Sequence, residues 1–566
     1  MGMTRLLITA AALAMAVAPA LSADKSKPRL VVMVVVDQLR GDYITRLAPH
    51  FSSDGIGRMI RDGAWYDHAH YRYGMLATGP GHASLSCGAT PSVHGIVGND
   101  WYDRESEREL YCCDDGSVRG VGLPKGEKAK GRSPKNLMAV TLADTIKTST
   151  GGRGQVWSVA LKDRAAILCG GKKADGAIWW DNHSGLLVTS SYYGEQLAPA
   201  IEAMNNERFV DRFFKTEWRL LLPADVYRPI PLDGLMDESI HKRTHTGTFP
   251  KVLGDRSETS DRHYYDELYL SPMANELVFE AGRRLVESRR LGLDDDVDLL
   301  VLGLSANDIV GHRFGPSSAE VMDCTLRTDR MLGAFFSWLD QRVGLDRCVV
   351  ALSSDHGVGP IVEYSTALGA GGGRFDSKGL EQAVESAIEN RFGPPNDGHY
   401  VLDLLLPWIY LNEGVLRASN VKVAEAARVA AQTALSHEGV SATYTEQQIR
   451  EPQFVGSDDL RRNIANSYHP RRSGQVYVHW QRYWYKTSKI AGHGAAYDYD
   501  QHVPVMLMGP GVKPGRFGRN VCPTSLTASI CAVLGIGPAQ TMNRELLDEA
   551  LSPRVAASEQ SGTTGK

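Results

Sequence analysis

Six side chains in this sequence combine acid or imidazole chemistry with one recurring setting. Asp37 closes the run "RLVVMVVVD", Asp308 and His312 lie in "LSANDIVGH", Asp355 and His356 in "SSDHG", and His493 in "IAGHGAAYD". Each stands just past an apolar run or beside a glycine turn, where neighbouring side chains can converge. Asp308 and His312 are four residues apart, so one helical turn brings both to one face. A single Asp after a buried strand is more often a helix cap or a surface acid, and a lone His among seventeen says little. The set says more. Carboxylates and imidazoles without thiolates suit zinc or manganese. Six such groups suffice for two ions with three protein ligands each, leaving the open positions that catalysis needs.

A hydroxyl and two cations have comparable settings. In "YGMLATGPGHASLSCG", Thr78 precedes Gly79-Pro80-Gly81, and Pro80 suits the first position of a helix running through "HASLSCG". A hydroxyl there sits among free backbone N–H groups, which favour an incoming anion. Threonine is a poor nucleophile until its proton is lost, and a bound metal achieves that without a general base. Alone, Thr78 reads as a helix cap, and His82 reads as structural. In "SVALKDRAAILC", Lys162, Asp163 and Arg164 interrupt what reads as an apolar strand. Buried charges are costly unless each finds a partner, so something anionic should await them. If Lys162 begins an extended stretch, Lys162 and Arg164 share one face and Asp163 takes the other. Two cations on one face form a clamp for phosphate oxygens, Arg forking and Lys acting as a point charge. Lys-x-Arg by itself is usually a solvated face; its apolar flanks set this one apart.

The elements that must position these groups are legible as runs. "RLVVMVVVD", "VDLLVLGLSAND", "RCVVALSSDHG" and "HVPVMLMG" read as strands buried on both faces. Ser133-Pro134 predicts the cap and first residue of a helix over "KNLMAVTLADTIK", with Gly151 and Gly152 beyond its end. Residues 318–343 carry the 3.6-residue apolar rhythm of a helix. Strands alternating with helices predict an α/β sandwich, a largely parallel central sheet with helices on both faces. Such sheets bind ligands beyond the carboxyl ends of their strands, where three of the four runs carry Asp. The intervals 100–290 and 360–488 carry few core-strand signals and read as insertions forming a cap. "GAGGGRF" (residues 369–375) lacks the Lys-Ser/Thr of a phosphate-binding loop and reads as a flexible lid.

At 566 residues the chain suits one large catalytic domain with insertions, read here as residues 28–548. A net charge of −4 argues against nucleic acid and against an anionic membrane surface as partners. The basic stretch "PKGEKAKGRSPK" reads as a solvated loop. Residues 1–22 read as a signal peptide: Arg5, an apolar run of roughly 15 residues, then small residues at Ala20 and Ser22. That run is too short for a confident membrane span, and no later stretch is long enough. The expectation is an exported protein, periplasmic or secreted, without stable membrane insertion. Residues 552–566 read as a disordered tail. The eight cysteines show no metal-type spacing, and adjacent Cys112 and Cys113 leave any bridge partner open.

Taken together, "VVVDQLRGDY", "TGPGHASL", "GIVGNDWYD", "ALKDRAAI", "LSANDIVGHRFGP", "SSDHG" and "HGAAYDYDQHVP" resemble the alkaline phosphatase superfamily. Within it they resemble the monomeric Thr-nucleophile alkaline phosphatases of the PafA and PhoK type, from about residue 30 to 510. The resemblance implies an alkaline-phosphatase-like fold, a monomer and two zinc ions. One ion would be held by Asp308, His312 and His493, the other by Asp37, Asp355, His356 and the Thr78 oxygen. It further implies that Lys162, Arg164 and Asn99 hold the non-bridging oxygens of a phosphate monoester while Thr78 is phosphorylated. Ala491 stands where relatives commonly carry threonine, which touches a contact behind the ligands and not a ligand. The charge count favours monoesters, since the dianion carries one more negative charge than a diester. A nucleotide pyrophosphatase or phosphodiesterase would share the metal set but lack the Lys-x-Arg clamp. Sulfatases need Cys or Ser in a Cys/Ser-x-Pro-x-Arg setting, and phosphoethanolamine transferases need membrane helices. A non-catalytic zinc-binding envelope protein would be expected to lose Thr78 or the clamp first.

Overall fold

The computed structural model describes residues 27–124, 130–227, 248–456, 458–486 and 490–552. The expected signal peptide, part of the basic loop and nearly all of the expected tail lie outside the described residues. Ten strands form the central sheet: β1 (Leu30–Val36), β2 (Ala64–Tyr66), β3 (Gly120–Val121), β4 (Val156–Ala160), β5 (Gly176–Asp181), β6 (Leu186–Ser190), β7 (Asp298–Leu304), β8 (Cys348–Ser353), β9 (Val505–Met508) and β10 (Gly515–Phe517). Their spatial order is β10-β2-β9-β8-β1-β7-β4-β5-β6-β3. The five middle strands, β8-β1-β7-β4-β5, run parallel, and antiparallel partners close both sides.

The helices that matter for the site are α1 (Thr78–Cys87), α2 (Leu142–Ser149), α3 (Asp163–Gly170), α4 (Ala274–Arg289), α5 (Ala306–Phe314) and α6 (Ala319–Arg342). Alternate residues of β1 feed two different cores, as a strand covered on both faces requires. Leu30, Val32, Val34 and Val36 pack with α4 and α6, whereas Val31, Met33 and Val35 pack with α1, α2 and the helix Ser525–Leu534. This arrangement is the predicted largely parallel sheet with helices on both faces.

Four sequence expectations need correction. The interval 100–290 is not a cap alone, because β3, β4, β5 and β6 within it belong to the central sheet. β4 is the apolar run before Lys162, but nothing local in it shows that it joins the central sheet between β7 and β5. The helix expected from Ser133-Pro134 begins eight residues later at Leu142, where Thr141 and Asp144 form a reciprocal capping box. Ala165–Cys169 is helix, not strand: β4 ends at Ala160, Lys162 is the N-cap, and α3 begins at Asp163. A short apolar run cannot be assigned by periodicity when both kinds of element would be buried, and the acid in the first turn favours the helix. Finally, "GAGGGRF" ends in a strand, Gly373–Phe375, paired in parallel with Trp484–Lys486.

The interval 360–488 folds around its own core. Strands Val401–Leu405, Trp408–Leu411, Val476–Trp480 and Val440–Thr445 form an antiparallel sheet packed against helices Ser377–Phe392 and Val423–Leu435. All eight cysteines are buried free thiols.

Candidate active site

Strand order explains how distant residues meet. Asp355 and His356 follow β8, Asp37 follows β1, Asp308 and His312 follow β7, and Lys162 follows β4. These four parallel strands are consecutive neighbours, so their carboxyl ends deliver all six side chains to one edge of the sheet. His493 arrives on the loop leading into β9, and Thr78 at the start of α1.

Two ligand-like clusters result. His312 Nε2 lies 3.2 Å from Asp308 Oδ1 and 3.2 Å from His493 Nε2, with His493 Nε2 3.8 Å from the same carboxylate. His356 Nε2 lies 3.6 Å from Asp37 Oδ1 and 3.4 Å from Asp355 Oδ2. Asp308 is within reach of both, because Asp37, Asp308 and His356 also form a compact ligand-like group. All three imidazoles turn their Nδ1 toward a backbone carbonyl, His312 toward Ala491, His356 toward Gly357 and His493 toward Leu76. That contact fixes the tautomer and leaves Nε2 as a lone-pair donor, the arrangement typical of metal-ligating histidines. The Ala491 contact uses the main chain, so it does not depend on which side chain stands there.

The donor set fits a divalent cation. Asp37 Oδ1 and His356 Nε2 are fully buried without hydrogen-bond partners, yet they face one another. Buried polar atoms left in that state are costly unless a ligand satisfies them. Burial, followed by the nearby Asp308 and Asp355 carboxylates, pushes Asp37 up to about 6. Burial and the neighbouring His356 and His312 hold His493 well below the usual histidine range, keeping its imidazole neutral. Neutral imidazoles and crowded carboxylates are the state in which a cation binds best.

Residues around the clusters keep them in place. His82 Nδ1 sits 3.2 Å from Asp355 Oδ2 and 2.9 Å from the Thr78 carbonyl. Although burial opposes it, the Asp355 carboxylate raises the His82 pKa. Gln38 occupies the left-handed region at φ 65°, donates its backbone N–H to Asp355 Oδ1 (3.1 Å) and its amide to Asp308 Oδ1 (2.6 Å). Such a conformation in a non-glycine residue persists only when its surroundings impose it. A Cβ on Gly81 would fall 2.3 Å from the Asp355 carbonyl, so only glycine lets α1 approach this closely. Neither Gln38 nor His82 carried a sequence signal of function, since a residue's partners across the sheet cannot be read locally.

Thr78 lies one residue inside its helix, with Ala77 at the N-cap, and is 2% exposed. Lys162 Nζ stands 3.5 Å and Arg164 Nη2 3.4 Å from its hydroxyl oxygen. Asn99 Oδ1 accepts the Gly79 N–H (2.7 Å), which orients the amide NH₂ away from the helix. The anions awaiting Lys162 are Asp37 and Asp308, at 2.6 Å and 2.5 Å. Burial alone would depress the Lys162 pKa, but these two carboxylates raise it. Asp163 accepts from Tyr111 (2.5 Å) and pairs with Arg132 (3.0 Å), while the Tyr111 hydroxyl stands 3.4 Å from Arg164 Nη1. The two cations meet Thr78 through a strand end and a helix start, not through strand alternation. A cleft of about 640 Å³ opens in front of Thr78, Asn99, Lys162, Arg164, His312 and His493.

Comparison with known proteins bears on this arrangement. The family model described as type I phosphodiesterase / nucleotide pyrophosphatase matches residues 31–502. A protein of Myroides odoratus named calcium-transporting ATPase is 32% identical over 519 residues, covering 90% of this chain and 92% of its own. Alkaline phosphatase PhoV of Synechococcus elongatus is 30% identical over 512 residues, 90% of each chain. The crystal structure of wild-type alkaline phosphatase PafA matches with a TM-score of 0.83 at 28% identity, covering 93% of this chain and 99% of that one.

Proposed function

We propose that this chain, which belongs to the type I phosphodiesterase / nucleotide pyrophosphatase family of the alkaline phosphatase superfamily, is a metal-dependent phosphate monoester hydrolase, an alkaline phosphatase. The observation that carries this reading is that Lys162 and Arg164 both reach the Thr78 hydroxyl, at 3.5 Å and 3.4 Å. A monoester dianion has the extra charge to use both cations. A diester does not.

In this reading one divalent cation would be held by Asp308, His312 and His493 and a second by Asp37, Asp355, His356 and Thr78, zinc suiting these nitrogen and oxygen donors. Such ions, when bound, supply the positive charge that acidifies a hydroxyl and stabilises a departing alkoxide. Thr78 Oγ1 attacks phosphorus in line, forming a P–O bond as the ester P–O bond breaks. Lys162, Arg164 and the Asn99 NH₂ hold the non-bridging oxygens through that step. The N-terminus of α1 adds unsatisfied backbone N–H groups beside the phosphoryl. Water then hydrolyses the phosphothreonine, releasing inorganic phosphate and restoring the hydroxyl. The loose transition state of phosphoryl transfer leaves positioning and electrostatics as the main contributions.

The leader-like start supports export to the periplasm or beyond, which sequencing the N-terminus of the mature protein tests. The Myroides relative's name points to ATP, whose terminal phosphate also presents a dianion to Lys162 and Arg164. No helix among the described residues is long and apolar enough to cross a membrane. The decisive experiment is a hydrolysis panel on the mature protein: p-nitrophenyl phosphate, its bis-ester, p-nitrophenyl sulfate and ATP, with and without chelator. Chelator-sensitive preference for the monoester is expected. Faster bis-ester cleavage would make the chain a diesterase, and bound metal without turnover a non-catalytic metal-binding protein.

A further inference from the structure

The glycine run 369–375 and the aromatic residues near 480 have no part in the phosphoryl chemistry, yet they meet at the cleft. Phe375, Trp480, Trp484 and Tyr485 line it on one side, together with Leu406 and Pro407. All six come from the 360–488 unit, whereas Thr78, Lys162 and the histidines come from the sheet edge and the loop before β9. The cleft therefore lies where the 360–488 interval, which has a core of its own and shares another with the sheet part, meets the sheet edge. Its volume of about 640 Å³ is several times what a phosphoryl group fills and sits within the range of small-molecule sites.

The Trp484 ring is seated by glycine. A Cβ on Gly373 would fall 2.6 Å from its indole, and a Cβ on Gly439 only 2.2 Å from it. Gly439 also has φ +84°, a conformation that excludes most side chains. Beside it, Phe375 stacks on Trp480 with ring centroids 3.6 Å apart and planes within 5°. Trp484 is nonetheless only half-buried. Two glycines thus fix a large flat ring while part of it still faces the cleft. A ring packed only to join the two units would gain most by full burial. A ring held rigid and partly open is how a site presents a stacking surface without ordering it at the moment of binding.

We propose that this wall is a leaving-group subsite, with Trp484 its principal face, selecting phosphate monoesters whose alcohol carries a planar aromatic ring. The inference rests on the monoesterase reading and adds the substrate class to it. The test compares 2-phenylethyl phosphate with ethyl phosphate. Both release primary alkoxides of similar basicity, so the chemical step is alike and the ring is the variable. In the wild-type enzyme kcat/KM for the aromatic ester exceeds that for ethyl phosphate by roughly tenfold, the scale of one stacking contact with its burial. Trp484→Ala brings the ratio towards one, and Trp484→Phe retains most of it. A wild-type ratio near one, or a ratio unmoved in Trp484→Ala, overturns the subsite. A second arm needs neither turnover nor a folded Trp484→Ala. Calorimetry on the wild-type protein with 2-phenylethylphosphonate and ethylphosphonate gives a similar discrimination if the wall binds rings, and equal affinities overturn it. Discrimination between the phosphonates with no hydrolysis of either ester would sink the monoesterase reading and leave the subsite standing.

Discussion

Thr78 sits where two cations can lower the cost of its alkoxide, so its removal should separate chemistry from metal binding. Thr78→Ala is expected to reduce phosphate release by more than about a thousandfold, the scale on which losing a nucleophile acts. Metal content measured by plasma mass spectrometry should stay unchanged, since six other candidate donors remain. Undiminished turnover rejects Thr78 as the nucleophile. The clamp makes a different prediction. Each charged hydrogen bond contributes about 1.5–3 kcal/mol, so Lys162→Ala with Arg164→Ala should cut the monoester-to-diester ratio of kcat/KM by roughly 10²–10⁴. Lys162 also pairs with Asp37 and Asp308, so Arg164→Ala alone is the cleaner arm. It should lower the ratio without changing metal content. An equal loss for both esters would mean the two cations do not read charge.

At the level of elements, the loop bearing His493 depends on one buried acid. Asp500 is fully buried, and its Oδ2 accepts the backbone N–H groups of Gly494 and Ala495 at 2.9 Å and 3.0 Å. Gly494 stands at φ +119°, so this turn is specified by those two bonds and by glycine's freedom together. His493 is thereby held with Nδ1 on the Leu76 carbonyl and Nε2 toward His312. Asp500→Ala should lower the affinity for zinc by about tenfold or more, the usual scale for losing a partner behind the ligands, read from competition with a coloured chelator. Asp500→Asn keeps one acceptor and should lose less. Equal zinc affinity in Asp500→Ala and wild type would show that the loop holds its shape without it.

Across the whole molecule, the site concentrates three buried carboxylates, Asp37, Asp308 and Asp355, against one buried lysine. That surplus of negative charge in a dry setting costs stability, and bound cations would offset it. Anything that binds only the folded state stabilises it by about 2.7 kcal/mol at a hundredfold excess over its dissociation constant. Chelation should therefore lower the thermal midpoint by several degrees, and zinc returned in increasing concentration should raise it steadily. A midpoint indifferent to chelator would argue that the orphaned donors are satisfied in another way. The same logic joins the two units of the chain: the cleft they share is closed on one side by charge and on the other by aromatic rings.

A candidate chemistry was legible in the chain because it depends on residue type and local setting. No acid, imidazole or threonine here announces itself singly; it was the set of six past apolar runs or glycine turns, together with Thr78 and the Lys162-x-Arg164 pair, that pointed to one candidate chemistry without knowledge of the fold. Only the tertiary structure decided which of these groups are neighbours. Asp355, Asp37, Asp308 and Lys162 meet because β8, β1, β7 and β4 lie side by side, and strand order arises from contacts hundreds of residues apart that no window of sequence contains. It also decided that Ala165–Cys169 is helical, since a short run buried on every side has no periodicity to show. Gly439 remained silent, and Gly373 read only as part of a flexible run, for the same reason: what needs the space beside them is the Trp484 indole.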